Sequence, residues 1–317
     1  MKPSHLLRLG LLLPLLLCGA PAFAEGRVGE GTQVVLLGTG TPLPDPERAG
    51  PSTAIVANGQ AYIVDAGAGV VRRAAAARGK GVEALRPVNL RVAFITHLHS
   101  DHTLGLADLM ITPWIMGRTA PLELYGPPGI RAMARHILEA YAVDRRTRID
   151  DLEHSNATGW KVNVHEVRPG LAFRDSNVTV TAFRVRHGRM AAFGYRFVTP
   201  DRSVVVTGDT APTPALAANC RPCDVLITET YTDASFQLIS PAWRRYREAF
   251  HISAGELGAV ATLAKPGLLI LIHRGNSGCD QADTDACREA GSEKQMLSEV
   301  QAAYGGRVVA GKDLEIY

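Results

Sequence analysis

The sequence predicts an α/β fold of two β-sheets packed face to face, with helices on their outer faces. Three observations carry this. Short apolar runs of strand length recur in both halves of the chain, helix-period segments flank them in both halves, and no Gly/Ser linker or internal repeat divides the 317 residues. With 46% hydrophobic and 21% charged residues, the composition is that of an ordinary globular chain.

The first 24 residues stand apart from that globule. Lys2 and Arg8 precede the apolar run 9–17, and Ala22-Phe23-Ala24 supplies the small-x-small pattern of a secretory cleavage site. The run is too short to span a bilayer permanently. The expectation is a signal peptide over 1–24, a single domain over 25–317, and a periplasmic or secreted protein. Bulky Leu17 before Cys18 argues against a lipid anchor. Removing Lys2 and Arg8 from a net charge of +3 leaves +1, so no global basic field gathers polyanions. Four cysteines remain, Cys220, Cys223, Cys279 and Cys287; local pairs 220 with 223 and 279 with 287 are the simplest of three connectivities. Cys220-Arg221-Pro222-Cys223 reads as a structural clip, since no thioredoxin-like context surrounds it.

Residues 33–37 form the first strand, closed by the turn Gly38-Thr39-Gly40-Thr41-Pro42, where proline excludes the helix a phosphate loop requires. Residues 53–57 and 61–64 make a hairpin around Asn58-Gly59, and Asp65 follows at the strand end. A short helix includes 74–77, strands cover 91–95 and 122–125, and a helix after Gly126-Pro127-Pro128-Gly129 puts Ile130, Met133, Ile137, Leu138 and Tyr141 on a core face. The charged stretch 144–151 reads as a solvated loop or helix end, and His136, His154 and His165 as surface or satisfied histidines. Strands dominate 162–206. Helices return over 240–250 and 253–263, the second opened by the capping box Ser253-Ala254-Gly255-Glu256 with His251 just ahead of it. A strand over 268–272, a cysteine-containing loop, a helix near 293–303 and two closing strands complete the chain.

Chemistry concentrates in Thr96-His97-Leu98-His99-Ser100-Asp101-His102, directly after the apolar strand 91–95. His97 and His99 project to one side of an extended segment, and Asp101 and His102 turn the corner behind them. Such a set suits a divalent metal of borderline softness, zinc first. A histidine-rich turn without a ligand is the bland reading; crowded imidazoles gain little unless something binds them. His187, Asp209 and His273 each follow a strand run and bring the donors to seven, enough for two ions if one carboxylate bridges.

His-x-His-x-Asp-His after a hydrophobic strand resembles the signature of the metallo-β-lactamase superfamily, and further stretches resemble its ribonuclease Z and arylsulfatase-like branch. The resemblance implies an αββα sandwich and two zinc ions: His97, His99 and His187 on the first, Asp101, His102 and His273 on the second, Asp209 bridging. It also tips Asp65, equally readable as a turn former, towards orienting a ligand histidine. Two such ions, roughly 3.5–4 Å apart, share a hydroxide near neutral pH, and Asp101 orients it. Glu229 and His251 resemble the family's acid pair, the carboxylate holding the imidazole that protonates the leaving group; the plainer reading of His251 is a helix-entry residue.

Gly208-Asp209-Thr210 points to the phosphodiesterase and sulfatase side of the superfamily, because β-lactamases proper lack that carboxylate. Only 22 positions separate His187 from Asp209, where bacterial tRNA-processing ribonuclease Z carries a long arm, so tRNA is a poor candidate substrate. The expectation is a metal-dependent hydrolase of a small phosphodiester or aryl sulfate ester, with no membrane partner once the leader is gone and with a homodimer left open. A lactam hydrolase comes second and a non-catalytic zinc or ligand-binding protein third. Trp243-Arg244-Arg245-Tyr246-Arg247 reads as a solvated basic helix face, with an anion-binding lip as its sharper alternative.

Overall fold

The strands at 60–64, 92–94, 203–206, 225–229 and 268–272, whose ends carry site residues, are buried along nearly their whole length, and this fixes their place between two layers. The computed structural model describes residues 31–273 and 284–317; the leader, Cys18 and Cys279 lie outside them. One sheet runs β1 (Gln33–Gly38), β2 (Ser52–Ala57), β3 (Gln60–Val64), β4 (Val92–Phe94), β5 (Leu122–Gly126), β6 (Val162–Glu166) in spatial order. The other runs β13 (Val308–Ala310), β12 (Leu268–Ile272), β11 (Val225–Glu229), β10 (Ser203–Val206), β9 (Phe193–Val198), β8 (Thr179–Arg184), β7 (Gly170–Arg174). Each is half antiparallel and half parallel: β3 to β6 are parallel in the first, β10 to β13 in the second.

Alternation assigns the faces. Leu36, Tyr62, Val64 and Phe94 of the first sheet meet Tyr195, Phe197, Val206 and Ile270 of the second in a shared core. Val35, Leu37, Ile63 and Ala93 point the other way, onto helices α1 (Val70–Gly79), α3 (Leu106–Ile115) and α4 (Ile130–Ala140). Val205, Leu226, Leu269 and Leu271 pack outward on α6 (Pro214–Cys220), α9 (Ala254–Ala264) and α11 (Glu293–Ala303). The remaining helices are α2 (Ser100–Thr103), α5 (Ala142–Asp150), α7 (Asp233–Leu238), α8 (Pro241–Phe250) and α10 (Asp285–Ala290). The expected four layers are present.

Local expectations fare unevenly. Asn58 and Gly59 take φ 49° and 75°, as a tight hairpin requires. The capping box at Ser253 forms in both directions. Of the two readings of 144–151, a solvated loop or a helix end, the helical one holds: the stretch lies in α5, supported by Arg148 pairing with Asp144 at 3.0 Å and Glu153 at 2.7 Å. Tyr141 leaves the expected core stripe and is 42% exposed. Of the two closing strands only β13 is a ladder strand. The last residues instead cross to the first sheet, where Tyr317 and Val34 exchange backbone hydrogen bonds at 2.9 Å. Cys220 and Cys223 are joined in a disulfide. Among the described residues no helix is long and apolar enough to cross a membrane.

Candidate active site

The strand ends β3, β4, β10, β11 and β12 open onto one cleft, and each delivers a polar side chain into it. Asp65 follows β3 with φ 62°, a left-handed conformation that turns its carboxylate under the next strand's loop. That carboxylate accepts from Thr96 N at 2.8 Å, from Thr96 Oγ1 at 2.9 Å, and from His102 Nδ1 at 2.8 Å. Thr96 Oγ1 in turn accepts from His97 Nδ1 at 3.0 Å. One buried carboxylate thereby fixes the tautomer of two imidazoles and leaves both Nε2 lone pairs facing the cleft. His99 caps α2, whose single turn carries Asp101 and His102.

The second sheet supplies the rest. His187 lies past β8 and donates from Nδ1 to Phe250 O at 2.8 Å. Asp209 follows β10 across Gly208, which has φ 62° and lies so close to Thr96 that a Cβ would sit 2.6 Å from the Thr96 Cβ. Only glycine meets both demands. Glu229 ends β11, and His273 follows β12 with φ 53°. His251 caps the C-terminus of α8.

All seven expected donors meet. His99 Nδ1 lies 3.2 Å from His97 Nε2 and 2.9 Å from His187 Nε2. His273 Nε2 is 3.0 Å from Asp101 Oδ2 and 3.5 Å from Asp209 Oδ2. His102 Nε2 stands 3.3 Å from Asp209 Oδ1 and 3.5 Å from Asp101 Oδ2. Four sets of three ligand atoms fall within 4.8 Å: His97, His99 and His187; His97, His102 and Asp209; Asp101, His102 and His273; and Asp209, His251 and His273.

The donors fit divalent metal on their own chemistry. His102 Nε2 is buried without a hydrogen-bond partner among the described residues and faces carboxylate oxygens of Asp101 and Asp209; burial opposes a proton there, the Asp209 and Asp65 carboxylates favour it in the metal-free protein, and a metal cation would take that proton's place. Acceptors facing acceptors at this depth need a cation between them. Burial holds His97 well below its ordinary pKa, the His102 charge adding to this against the pull of Asp209. Burial likewise lowers His99, and takes His187 down to about 4. These directions favour neutral rings, the form in which an imidazole could bind a metal. Burial works against ionised Asp209, yet the His273 and His102 charges hold its carboxyl well below the usual range.

Glu229 and His251 form a separate pair. Nδ1 of His251 is 2.8 Å from Oε1 and 2.9 Å from Oε2 of Glu229, and Thr210 N donates to Oε1 at 2.9 Å. Burial, reinforced by Asp209, pushes the Glu229 carboxyl well above its usual range. Burial also takes His251 down to about 4. Both directions disfavour a carboxylate paired with an imidazolium. Oε1 already accepts from Thr210, so a proton on the carboxyl would sit on Oε2, facing Nδ1.

A family model described as a beta-lactamase superfamily domain matches residues 60–274, more than half of the chain. The chain belongs to the metallo-β-lactamase superfamily. Among superfamily relatives, ribonuclease Z of Mycobacterium bovis (strain BCG / Pasteur 1173P2) is 34% identical over 288 residues, covering 89% of this chain and 96% of that protein. Human tRNase Z, short form, superposes with a TM-score of 0.64 at 22% identity, covering 90% of this chain and 98% of that one. The metallo-beta-lactamase fold protein YhfI from Bacillus subtilis gives 0.65 at 16%, with the same coverage. At those identities the two structures speak for the fold alone. The protein is a metallo-β-lactamase-fold hydrolase with homologues named ribonuclease Z, and the superfamily fold implies a divalent metal at the histidine and aspartate clusters.

These names lean against the expectation that tRNA is a poor candidate. Between His187 and Asp209 there is indeed only a tight turn and the β9–β10 hairpin. But an alignment of 288 positions that uses 89% of this chain leaves room for only a few extra residues in the mycobacterial relative. A missing arm does not separate the two.

Three supports escaped the sequence reading: the Thr96 hydroxyl, Gly208, and the Phe250 carbonyl. The first two adjoin named donors, so position was their only signal. The third is a backbone atom and carries none.

Proposed function

We propose that this protein hydrolyses small phosphodiesters or aryl sulfate esters with two zinc ions, and that it does so outside the cytoplasm. The observation that carries the reading is the buried Glu229–His251 pair, whose Nδ1 lies 3.9 Å from Asp209 Oδ2 beside the converged donors. A protein that only holds metal has no use for such a pair. His97, His99 and His187 would hold one ion, Asp101, His102 and His273 the other, and Asp209 both. Bound there, divalent ions supply Lewis acidity towards the ester oxygens and a water that ionises near neutral pH.

The chain's own groups complete the reaction. Asp101 accepts a hydrogen bond from the attacking water and orients it. As the bond from phosphorus or sulfur to the leaving oxygen breaks, His251 Nε2 gives its proton to that oxygen, and Glu229 Oε2 passes its proton to Nδ1. The pair is left as a carboxylate and an imidazole carrying its proton on Nδ1; a solvent proton then enters at His251 Nε2 while Nδ1 returns its proton to Glu229 Oε2, which restores the starting state. Asp65 and Thr96 are positioning residues, acting through the rings they hold.

Zinc content by elemental analysis, with initial rates on bis-p-nitrophenyl phosphate, p-nitrophenyl sulfate and nitrocefin, tests the reading. Two ions per chain with phosphodiester or sulfate turnover is the expected result; nitrocefin as the sole substrate would replace it with a lactam hydrolase. The mycobacterial relative's name supports a second reading, removal of a 3′ trailer from precursor tRNA, so such a precursor belongs in the same panel. Export rests on the leader pattern at 1–24, and a mature N-terminus near Glu25 in the periplasmic fraction is its test.

A further inference from the structure

We propose that Trp243, Tyr246 and Phe250 of α8 form a stacking subsite for a planar aromatic group, a nucleobase or aryl ring, on the leaving-group side of the substrate. The ester's identity rests on the hydrolase reading above; the ring site rests on geometry of its own. α8 buries none of its residues, so these rings do not serve the core. They recur at intervals of three and four and share one helix face.

The row begins at the donors. Phe250 meets the His187 ring edge-on at 4.9 Å and lies 6.2 Å from His99. It covers Gly188, where a Cβ would come within 2.2 Å of its ring. Tyr246 stacks on Phe250 at 4.7 Å and 19°, and lies 5.5 Å from His251, which donates to the leaving group. Trp243 meets Tyr246 edge-on at 5.2 Å and is 43% exposed.

Aromatic faces leading from a hydrolytic centre into solvent suit a flat π-system better than an alkyl chain, because stacking tolerates any base or aryl ring. A neighbouring charge favours an anionic ester: Arg247, seated over the Tyr231 ring at 5.3 Å, acts on both Glu229 and His251.

The test uses the full metal-loaded protein and three phosphate monoesters: adenosine monophosphate, phenyl phosphate and ribose 5-phosphate. Binding is followed by calorimetry and by tryptophan fluorescence. The ring-bearing esters should bind about tenfold more tightly than ribose 5-phosphate and quench fluorescence. Trp243→Ala with Tyr246→Ala should abolish the preference, whereas Trp243→Phe should keep it and lose the quench. A stronger response to adenosine monophosphate assigns a nucleotide, and a stronger response to phenyl phosphate assigns an aryl ester. Equal affinities in the wild type, or a preference that survives the double substitution, would overturn the subsite. So would a dimer that Trp243→Ala converts to monomer, since the rings would then belong to an interface. Ring preference without turnover of any ester would sink the hydrolase reading and leave the subsite standing. Turnover without ring preference would do the reverse.

Discussion

The two halves of the donor set are built by different means. The first sheet delivers His97, His99, Asp101 and His102 from one loop and one helical turn, with His102 braced directly and His97 through Thr96 by a single carboxylate, Asp65. The second sheet delivers His187, Asp209, Glu229 and His273 from four different strand ends, and His251 from a helix end. Local geometry holds the first group. Strand register holds the second, through the parallel pairing of β10 with β11 and of β11 with β12. Damage to the first half should therefore spread through Asp65, and damage to the second should stay with the residue changed.

The sharpest test of that contrast is Asp209→Ala. It should lower bound zinc towards one ion per chain by elemental analysis and cut turnover on the order of a thousandfold; two retained ions would show that Asp209 is not shared. His251→Ala should cost about a hundredfold or more for poor leaving groups and little for p-nitrophenyl esters, which leave without a proton. Equal losses across a leaving-group series would remove the acid assignment.

Asp65→Ala removes no expected ligand, yet it frees two imidazoles and strands the buried Thr96 N–H. Metal affinity should fall by about ten- to a hundredfold, and stability by about 1–3 kcal/mol. A chelator competition curve unchanged from wild type would mean that the donors hold themselves.

The smallest expected effect is on pH dependence after metal removal. His187 and His251 have folded values of about 4, below the 6.5 of the unfolded chain. Their contribution is present above pH 6.5 and lost as pH falls towards 4, with His97 and His99 acting in the same direction. His102 is raised, so its contribution is complete below 6.5 and flat across that window. Glu229 is also raised and gains as pH falls, offsetting one of the four rings. The urea midpoint of the metal-free protein should therefore be lower at pH 5 than at pH 7.

The same contrast marks what a linear sequence reveals. His97 to His102 were legible because they are contiguous. His187, Asp209 and His273 were legible only as residues after apolar runs, each unremarkable until the others were counted. The Gly208 contact with Thr96 joins residues more than a hundred positions apart and follows from how the sheets face each other. The α8 stripe looks like a basic face in sequence because its arginines dominate the local pattern. Rings on a helix that buries nothing look the same in sequence as rings bound for a core. α5 leaves loop and helix end equally open in the sequence for lack of apolar periodicity, since side-chain pairs such as Arg148 with Asp144 support it instead.

The carbonyl of Phe250 ends a helix and aligns a ring of the donor set in one bond. Unwinding that last turn rotates His187, and displacing His187 unlatches the turn. The aromatic wall and the donor set are thus one mechanical part, and cargo resting on the outer rings would tug directly on the centre that cuts it.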